Sequence, residues 1–527
     1  MKALRFLLPA LFGCLFASAA DRELTGSVVD ANTGEPIARA HLTIRFIQAG
    51  QPAPELTMLS DADGTFKITH MPDGQYQVSC EKAGYLGANQ MTAGMPPTVP
   101  PGGKQSATMV LRLTAQAAVE GIVIDDRDLP AANTFIQLVH QSVLNGRRQS
   151  QVAGGASTDE TGYFRIFGLT AGSYYVSIMA RVPSSKQLKP MAYPHLYYPG
   201  ALDMATAQPL ELKAGDDTAI KLRLPAPVPS FEVRGVIVTD SQNAGVNLVR
   251  QPPDSTYEQF QGEAAFDAKT KSFKITHVTP GTYLLTAAVP REGKSTSFAT
   301  ALVTVGSSDV TGLRLEPVEA GLDGTVRMEG EAAPPKWSGF ISAQGERYSN
   351  GGQVDAEGKF HIPSIQPGTY RIVPQIYNAQ QSCVRSVLSG GHDVRDGLTV
   401  TPGVAPEPVE VVLTSHCGSV DVSVAPSDSP LPPNPMVFLL RKSGEELALE
   451  KQGGYQGQRT GDGTPHFLVQ GVAAGEYMLY VWPQDLAIEY TNAEYMKQFA
   501  SYGQKVTVTE DGKSTVTVDR VLVKLGN

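Results

Sequence analysis

The stretch "DADGTFKITHMPDGQYQV" (residues 61–78) decides the fold. Its skeleton is Phe66, an apolar Met71 five residues later, Gly74 eight later and Tyr76 ten later. Phe164, Leu169, Gly172 and Tyr174 repeat that spacing, and so do Phe273, Val278, Gly281 and Tyr283. Phe360, Ile365, Gly368 and Tyr370 are a fourth copy, and Phe467, Val472, Gly475 and Tyr477 a fifth. Around each copy, apolar and polar residues alternate: Phe66 and Ile68, then Tyr76, Val78 and Cys80. A period of two marks half-buried strands. The second copy places Phe164, Ile166, Tyr174, Val176 and Ile178 inward, and the fifth Phe467, Val469, Tyr477, Leu479 and Val481. Between the two strands sit the apolar plug and a Gly able to take positive φ, where a sharp turn is expected. A Tyr just after such a corner buries its ring and sends its hydroxyl to nearby backbone, as in the tyrosine corner of immunoglobulin-like sandwiches.

Upstream of each Phe comes an opening strand, a polar Gly/Pro/Asp turn and a second strand, as in "LTGSVVDANTGEPIARAHLTI" and "VEGIVIDDRDLPAANTFIQLV". Short strands with frequent turns are the pattern of an all-β sandwich. The copies recur at roughly 90–110 residues, long enough to own a core, unlike the ~20–45-residue units of solenoids. The expected fold class is therefore all-β, a tandem array of about five immunoglobulin-like or prealbumin-like β-sandwiches. Its expected bounds are a signal peptide at 1–20 and sandwiches at 21–114, 115–227, 228–317, 318–414 and 415–527. Links between them look short, which predicts neighbours packed side by side in a stiff rod. One short helix is expected near 490–502, capped by Asn492, with Tyr495, Phe499 and Tyr502 at helical spacing.

The chain has 527 residues, too many for one core. Gly (52) and Pro (38) run above average usage, which suits a fold rich in turns. The formal charge is −9, and loss of Lys2 and Arg5 with the first twenty residues takes two positive charges more. Excess negative charge repels phosphate backbones, so nucleic acid is not an expected partner. Lys2 and Arg5, the apolar run from Phe6 to Phe16 and the small residues of "ASAAD" read as a secretory signal. A second reading takes "LFGC" (residues 11–14) as a lipoprotein box with a lipid anchor on Cys14. Either predicts an exported protein, periplasmic, in the outer envelope or extracellular, with no transmembrane segment after signal cleavage. In that oxidising setting three cysteines remain. Cys80 reads as a buried thiol, and Cys383 and Cys417 as a candidate disulfide.

With its Phe, Gly and Tyr skeleton, most clearly in "DADGTFKITHMPDGQYQVSCEKAGY" (residues 61–85), the chain resembles the carboxypeptidase regulatory-like domain family. The third copy departs from the pattern, with "DAKTKSF" in place of the Asp-x-x-Gly turn. "YPHLYYPGALDMATAQPLELKAGDD" (193–217) and "SCVRSVLSGGHDVRDGLTVTPG" (382–403) resemble multi-copy secreted members of this group from soil bacteria. The resemblance implies a prealbumin-like or starch-binding-like sandwich, an accessory role beside enzymes, and an envelope or extracellular setting. It implies no specific ligand, although some relatives are credited with carbohydrate binding.

Catalytic and metal chemistry finds little footing. The nine His are scattered, without a His-Glu-x-x-His motif. His392, Asp393 and Asp396 in "GGHDVRD" read as a polar loop with metal binding as the lesser alternative. "DADG" (61–64) starts like an EF-hand loop but lacks the rest of the ligand set, and acidic residues before Gly are ordinary hairpin chemistry. No nucleophile elbow or phosphate-cradling loop occurs. No enzyme and no cofactor are expected. For a glycan, the candidate contacts are Trp482, on the strand face opposite Tyr477, and the cluster Tyr193, Tyr197 and Tyr198, whose other reading is packing at the crossing into the third sandwich. The expectation is a non-catalytic exported spacer or interaction scaffold, with a polysaccharide or an envelope protein as partner. The alternative is a dedicated carbohydrate-binding protein.

Overall fold

In four of the five copies of the motif, the Phe strand and the Tyr strand lie in different sheets, so the motif is a crossover; in the fourth copy both belong to one nine-stranded sheet. A computed structural model describes residues 22–523 apart from 48–54, 72–74, 88–97, 100–105, 183–189, 252–261, 291–295, 331–335, 346–347, 380, 426–430, 432–434, 444–445, 455–465 and 485. The signal region with Cys14, and Gly74 of the first corner, lie outside the described residues. Strands make up most of the described residues, and helix is confined to short segments.

One sheet of each repeat is built on the opening strand. In the first repeat Arg22–Asp30 pairs antiparallel with the Phe strand Thr65–Met71 and parallel with the closing strand Ser106–Ala115. The third repeat sets Phe231–Ile237 between Ser272–Val278 and Val310–Leu315. The fourth sets Leu322–Met328 between Lys359–Ile362 and Val409–Thr414. The fifth sets Gly418–Val424 between His466–Val472 and Lys513–Val518. In the second, Ala117–Ile124 lies between Tyr163–Leu169 and Asp217–Arg223. A chain that returns parallel to its first strand cannot close by hairpins alone. The connection runs through the second sheet, where the Tyr strand is central. Gly281–Val289, for example, lies between Gly245–Arg250 and Ser297–Val305.

Side chains from both sheets fill one core in the first, third and fifth repeats, and the strands of the fourth repeat likewise surround one core. Phe66, Ile68, Tyr76, Val78 and Cys80 are all buried there, together with Leu42 and Ile44 of the second strand. Phe164, Ile166, Tyr174, Val176 and Ile178 are likewise buried. In the fourth repeat Val354 pairs with Phe360, which joins its strands into one continuous nine-stranded order.

The chain divides into two compact units. The first holds Met1–Val123, Ala153–Tyr174 and Pro209–Leu222; the second holds Ile124–Val152, Tyr175–Gln208 and Arg223–Asn527. Within the second unit the connectors double as strands. Val228–Pro229 pairs with Met191–Ala192, and Val318–Glu319 pairs with Ser297–Phe298. The stacking of neighbours alone does not describe this unit. At the hairpin tip 145–148, Gly146 accepts from the backbone N–H and the hydroxyl of Thr491, and Arg148 pairs with Glu489. These contacts join positions 341 and 345 residues apart in the chain.

Near the C-terminus a short helix, Ala493–Met496, continues into a 3-10 turn, Lys497–Tyr502. The Asn492 side chain accepts from the Tyr495 N–H at 3.1 Å and caps it. Met496 and Phe499 are buried against Trp482 and its neighbours.

Candidate functional site

The recurring motif gathers its side chains at the crossover, so the site begins there. Tyr174 donates its hydroxyl to the Thr170 carbonyl at 2.8 Å, Tyr283 to Thr279 at 2.7 Å and Tyr477 to Ala473 at 2.7 Å. The acceptor is always four residues back. Tyr370 is placed likewise toward the Gln366 backbone. All five rings are buried. Burial pushes the Tyr283 and Tyr370 hydroxyls above their ordinary range, and the Tyr477 hydroxyl too, with Glu450 adding to the effect. These are neutral hydroxyls held by the backbone oxygen four residues back, and at Tyr174 and Tyr283 also by the threonine hydroxyl of that residue. Leu169, Val278, Ile365 and Val472 plug the corner and are buried.

The corner Gly takes positive φ in the second and fourth copies, at Gly172 and Gly368 (both +154°), and a further left-handed position lies ahead of it. In three copies the residue just before the plug has positive φ: Gly168 (+78°), His277 (+60°) and Gly471 (+66°). Strand register slips there, as in a β-bulge. In the third and fifth copies the corner Gly serves clearance. A Cβ at Gly281 would sit 3.1 Å from the Tyr283 hydroxyl, and one at Gly475 would sit 3.3 Å from that of Tyr477.

A second glycine position escaped the sequence reading. Gly26, Gly121, Gly235 and Gly324 sit mid-strand, each directly opposite its Phe. A Cβ there would lie 2.2–2.4 Å from a carbonyl oxygen of the closing strand. At Gly26 it would also lie 2.5 Å from the Phe66 ring. The signal was legible: glycine inside an alternating strand marks a close approach. The fifth repeat has Val422 opposite Phe467.

The acidic turns are engaged with their own backbone. Asp159 accepts from the N–H groups of Thr161 (2.8 Å) and Tyr163 (3.0 Å) and from the Thr161 hydroxyl (2.7 Å). Asp355 accepts from Glu357 and Lys359, and Asp267 from Lys269 and Thr270. Hydrogen bonds of this kind hold Asp63, Asp159 and Asp267 below the usual carboxylate range, led at Asp63 and Asp159 by a threonine hydroxyl and at Asp267 by the Lys269 N–H. Asp393 accepts from the Arg395 N–H at 2.9 Å, while Asp396 pairs with Arg441. Among the described residues no group of three His, Cys, Asp or Glu converges as a metal would require. A groove of about 340 Å³ over Gly324 and Phe360 has Asp323 bonded to His361 and Glu410 to Arg327.

The glycan candidates are corrected in part. Trp482 does face away from Tyr477, but a second cluster covers that face and leaves it 2% exposed. Its ring stacks on Phe438 with centroids 4.3 Å apart, so no sugar reaches it. The cause is the segment after the strand, which folds Ile488, Tyr490 and Phe499 over it. Tyr197 is fully buried against Val139 and Met204. Tyr193 and Tyr198 are half-buried beside the Met191–Ala192 strand, which pairs with the connector. Cys383 and Cys417 are bridged, with Cα atoms 5.9 Å apart, at the junction into the fifth repeat. Cys80 is a free buried thiol, pushed up to about 11 by burial and by Glu81, and is inert at neutral pH.

With this geometry in hand, the likenesses to known proteins can be placed. Residues 23–112 match the family model of the Carboxypeptidase regulatory-like domain, so the first repeat carries that family's pattern. No curated protein matches the chain. Among solved structures, GBS52, the minor pilin of Streptococcus agalactiae, is 13% identical, with 40% of this chain and 97% of that one covered and a TM-score of 0.22. The shaft pilin SpaA of Lactobacillus rhamnosus GG is 11% identical, with 40% and 97% covered and a TM-score of 0.20. The TIE protein of Bacillus anthracis is 13% identical, with 74% and 68% covered and a TM-score of 0.15. At such scores the chains do not superpose as wholes. Among the described residues no helix is long and apolar enough to cross a membrane.

Proposed function

We propose that this chain is a non-catalytic exported scaffold, in which repeated sandwiches hold surfaces in place for other envelope components. One observation carries the reading. In copy after copy, the repeated spacing builds a corner: the Tyr hydroxyls go to their own backbone, the turn carboxylates to their own turns, and the Phe rings to their own glycines. Chemistry-bearing side chains that recur are engaged in architecture. Export rests on the basic and apolar residues of the N-terminal stretch.

The test is a paired assay of the chain from Asp21 onward. It is incubated with chromogenic ester, glycoside and peptide substrates, and in parallel with a polysaccharide array. The scaffold reading expects no turnover, and turnover that survives repurification would overturn it. Saturable glycan binding lost in Tyr193→Ala or Tyr198→Ala would make the protein a carbohydrate binder instead.

A further inference from the structure

Three guanidiniums meet where the fourth and fifth repeats adjoin. Arg441 is 9% exposed; its Nε reaches Glu450 at 3.3 Å and its Nη1 pairs with Asp396. Arg395 follows directly before Asp396 in the chain, and its Nη1 donates to the Val384 carbonyl at 3.4 Å. Arg371 donates to the Leu449 carbonyl. The carboxylates paired with these guanidiniums are Glu450 and Asp396, while Asp393 accepts from the Arg395 backbone N–H, in a chain of net charge −9.

The hydrogen bonding is incomplete in the same place. Arg441 Nη2 and Arg395 Nε are both buried and have no acceptor. A buried donor on a charged group left without a partner is costly. Both arginines act electrostatically on Arg371 and on Tyr477, so they share one neighbourhood. Burial holds Arg371 below its ordinary value, Glu450 opposes that, and the neighbouring Arg441 and Arg395 add to the depression.

We infer that this junction is a binding site for a small inorganic oxyanion of the phosphate or sulfate type, held by Arg441 and Arg395 with Arg371 behind them. A tetrahedral oxyanion offers several acceptors to guanidinium forks and supplies negative charge. Because the three arginines come from both repeats, the anion would tie the fourth sandwich to the fifth.

Titration calorimetry of the full chain from Asp21 onward, with inorganic phosphate and separately sulfate against chloride at matched ionic strength, tests this. The expected result is one saturable site per chain, weakened about tenfold or more by Arg441→Lys, which keeps the charge but removes the fork. Arg395→Gln, on the less buried partner, should weaken it likewise. Absence of saturable binding to the wild-type chain overturns the proposal, and so does binding that Arg395→Gln leaves unchanged. Preference between phosphate and sulfate then identifies which anion the site takes.

Discussion

At the residue scale, the tyrosine and the glycines around it determine the corner. The rule that Tyr binds the carbonyl four residues back recurs at Tyr174, Tyr283 and Tyr477. The spacing made the buried ring and its backbone partner legible, because only a fixed local acceptor explains a fixed local distance. The bulge was not legible. Its left-handed residue is Gly168 or Gly471 in two repeats but His277 in the third, so no single residue type marks it. Substituting His277→Ile should cost about 1–2 kcal/mol, since a β-branched residue resists the left-handed region. A thermal melt of the variant checks this. Gly235→Val should cost about 1–3 kcal/mol or more by overpacking against the Phe273 ring and the Leu313 carbonyl. Val422 in the fifth repeat, by contrast, should accept Ala with the modest loss of a truncated core residue.

His195 adds a pH dependence at the same scale. Its Nε2 lies 2.8 Å from the Ser177 hydroxyl, and its Nδ1 has no partner. Burial and then Arg250 push it down to about 4. In the unfolded chain it takes a proton near 6.5. Between those values the unfolded state binds more protons, so stability falls as pH drops from about 6.5 toward 4. His195→Gln should flatten that slope in melts followed across this range. An equal slope in the variant would assign the effect elsewhere.

At the element scale, the alternation of Phe66, Ile68, Tyr76 and Val78 identified strands and their inward faces. Which sheet each strand joined was not readable, because pairing partners lie far apart in sequence. Trp482 shows the limit. Periodicity gave its face, but the helix and loop that cover it come later in the chain and carry no strand period. The disulfide belongs to this scale as well. Cys383 and Cys417 close a loop spanning 34 positions, whose entropy is worth about 3–4 kcal/mol in the chain-entropy view. Cys417→Ser should destabilise the fourth repeat by that order, as read by urea denaturation. The hairpin turns are pH-sensitive in a definite direction. Hydrogen bonds depress Asp159, so its stabilisation is present above its unfolded value near 4 and is lost as pH falls through the lower folded value.

At the scale of the whole molecule, recurrence of one sandwich design was legible from five aligned Phe residues. Contacts between distant segments were not. Gly146 sits at a positive φ of 74° with the Tyr490 ring where a Cβ would go, and Arg148 pairs with the nearly buried Glu489. Neither residue announces a partner more than three hundred positions away. Arg148→Ala leaves Glu489 buried without its cation, and a buried carboxylate so stranded costs a few kcal/mol. Hydrogen exchange at 489–496 should rise in that variant while the core strand 281–289 keeps its protection.

The central claim is that the recurring motif is a structural corner. The most direct measurement is hydrogen exchange across the strand Gly281–Val289 in Tyr283→Phe and Tyr283→Ala. Loss of the hydroxyl alone should lower local protection by about 1 kcal/mol, and loss of the ring by about 3–5 kcal/mol. If both variants exchange like the wild type, Tyr283 does not hold the corner and the architectural account of the motif is wrong.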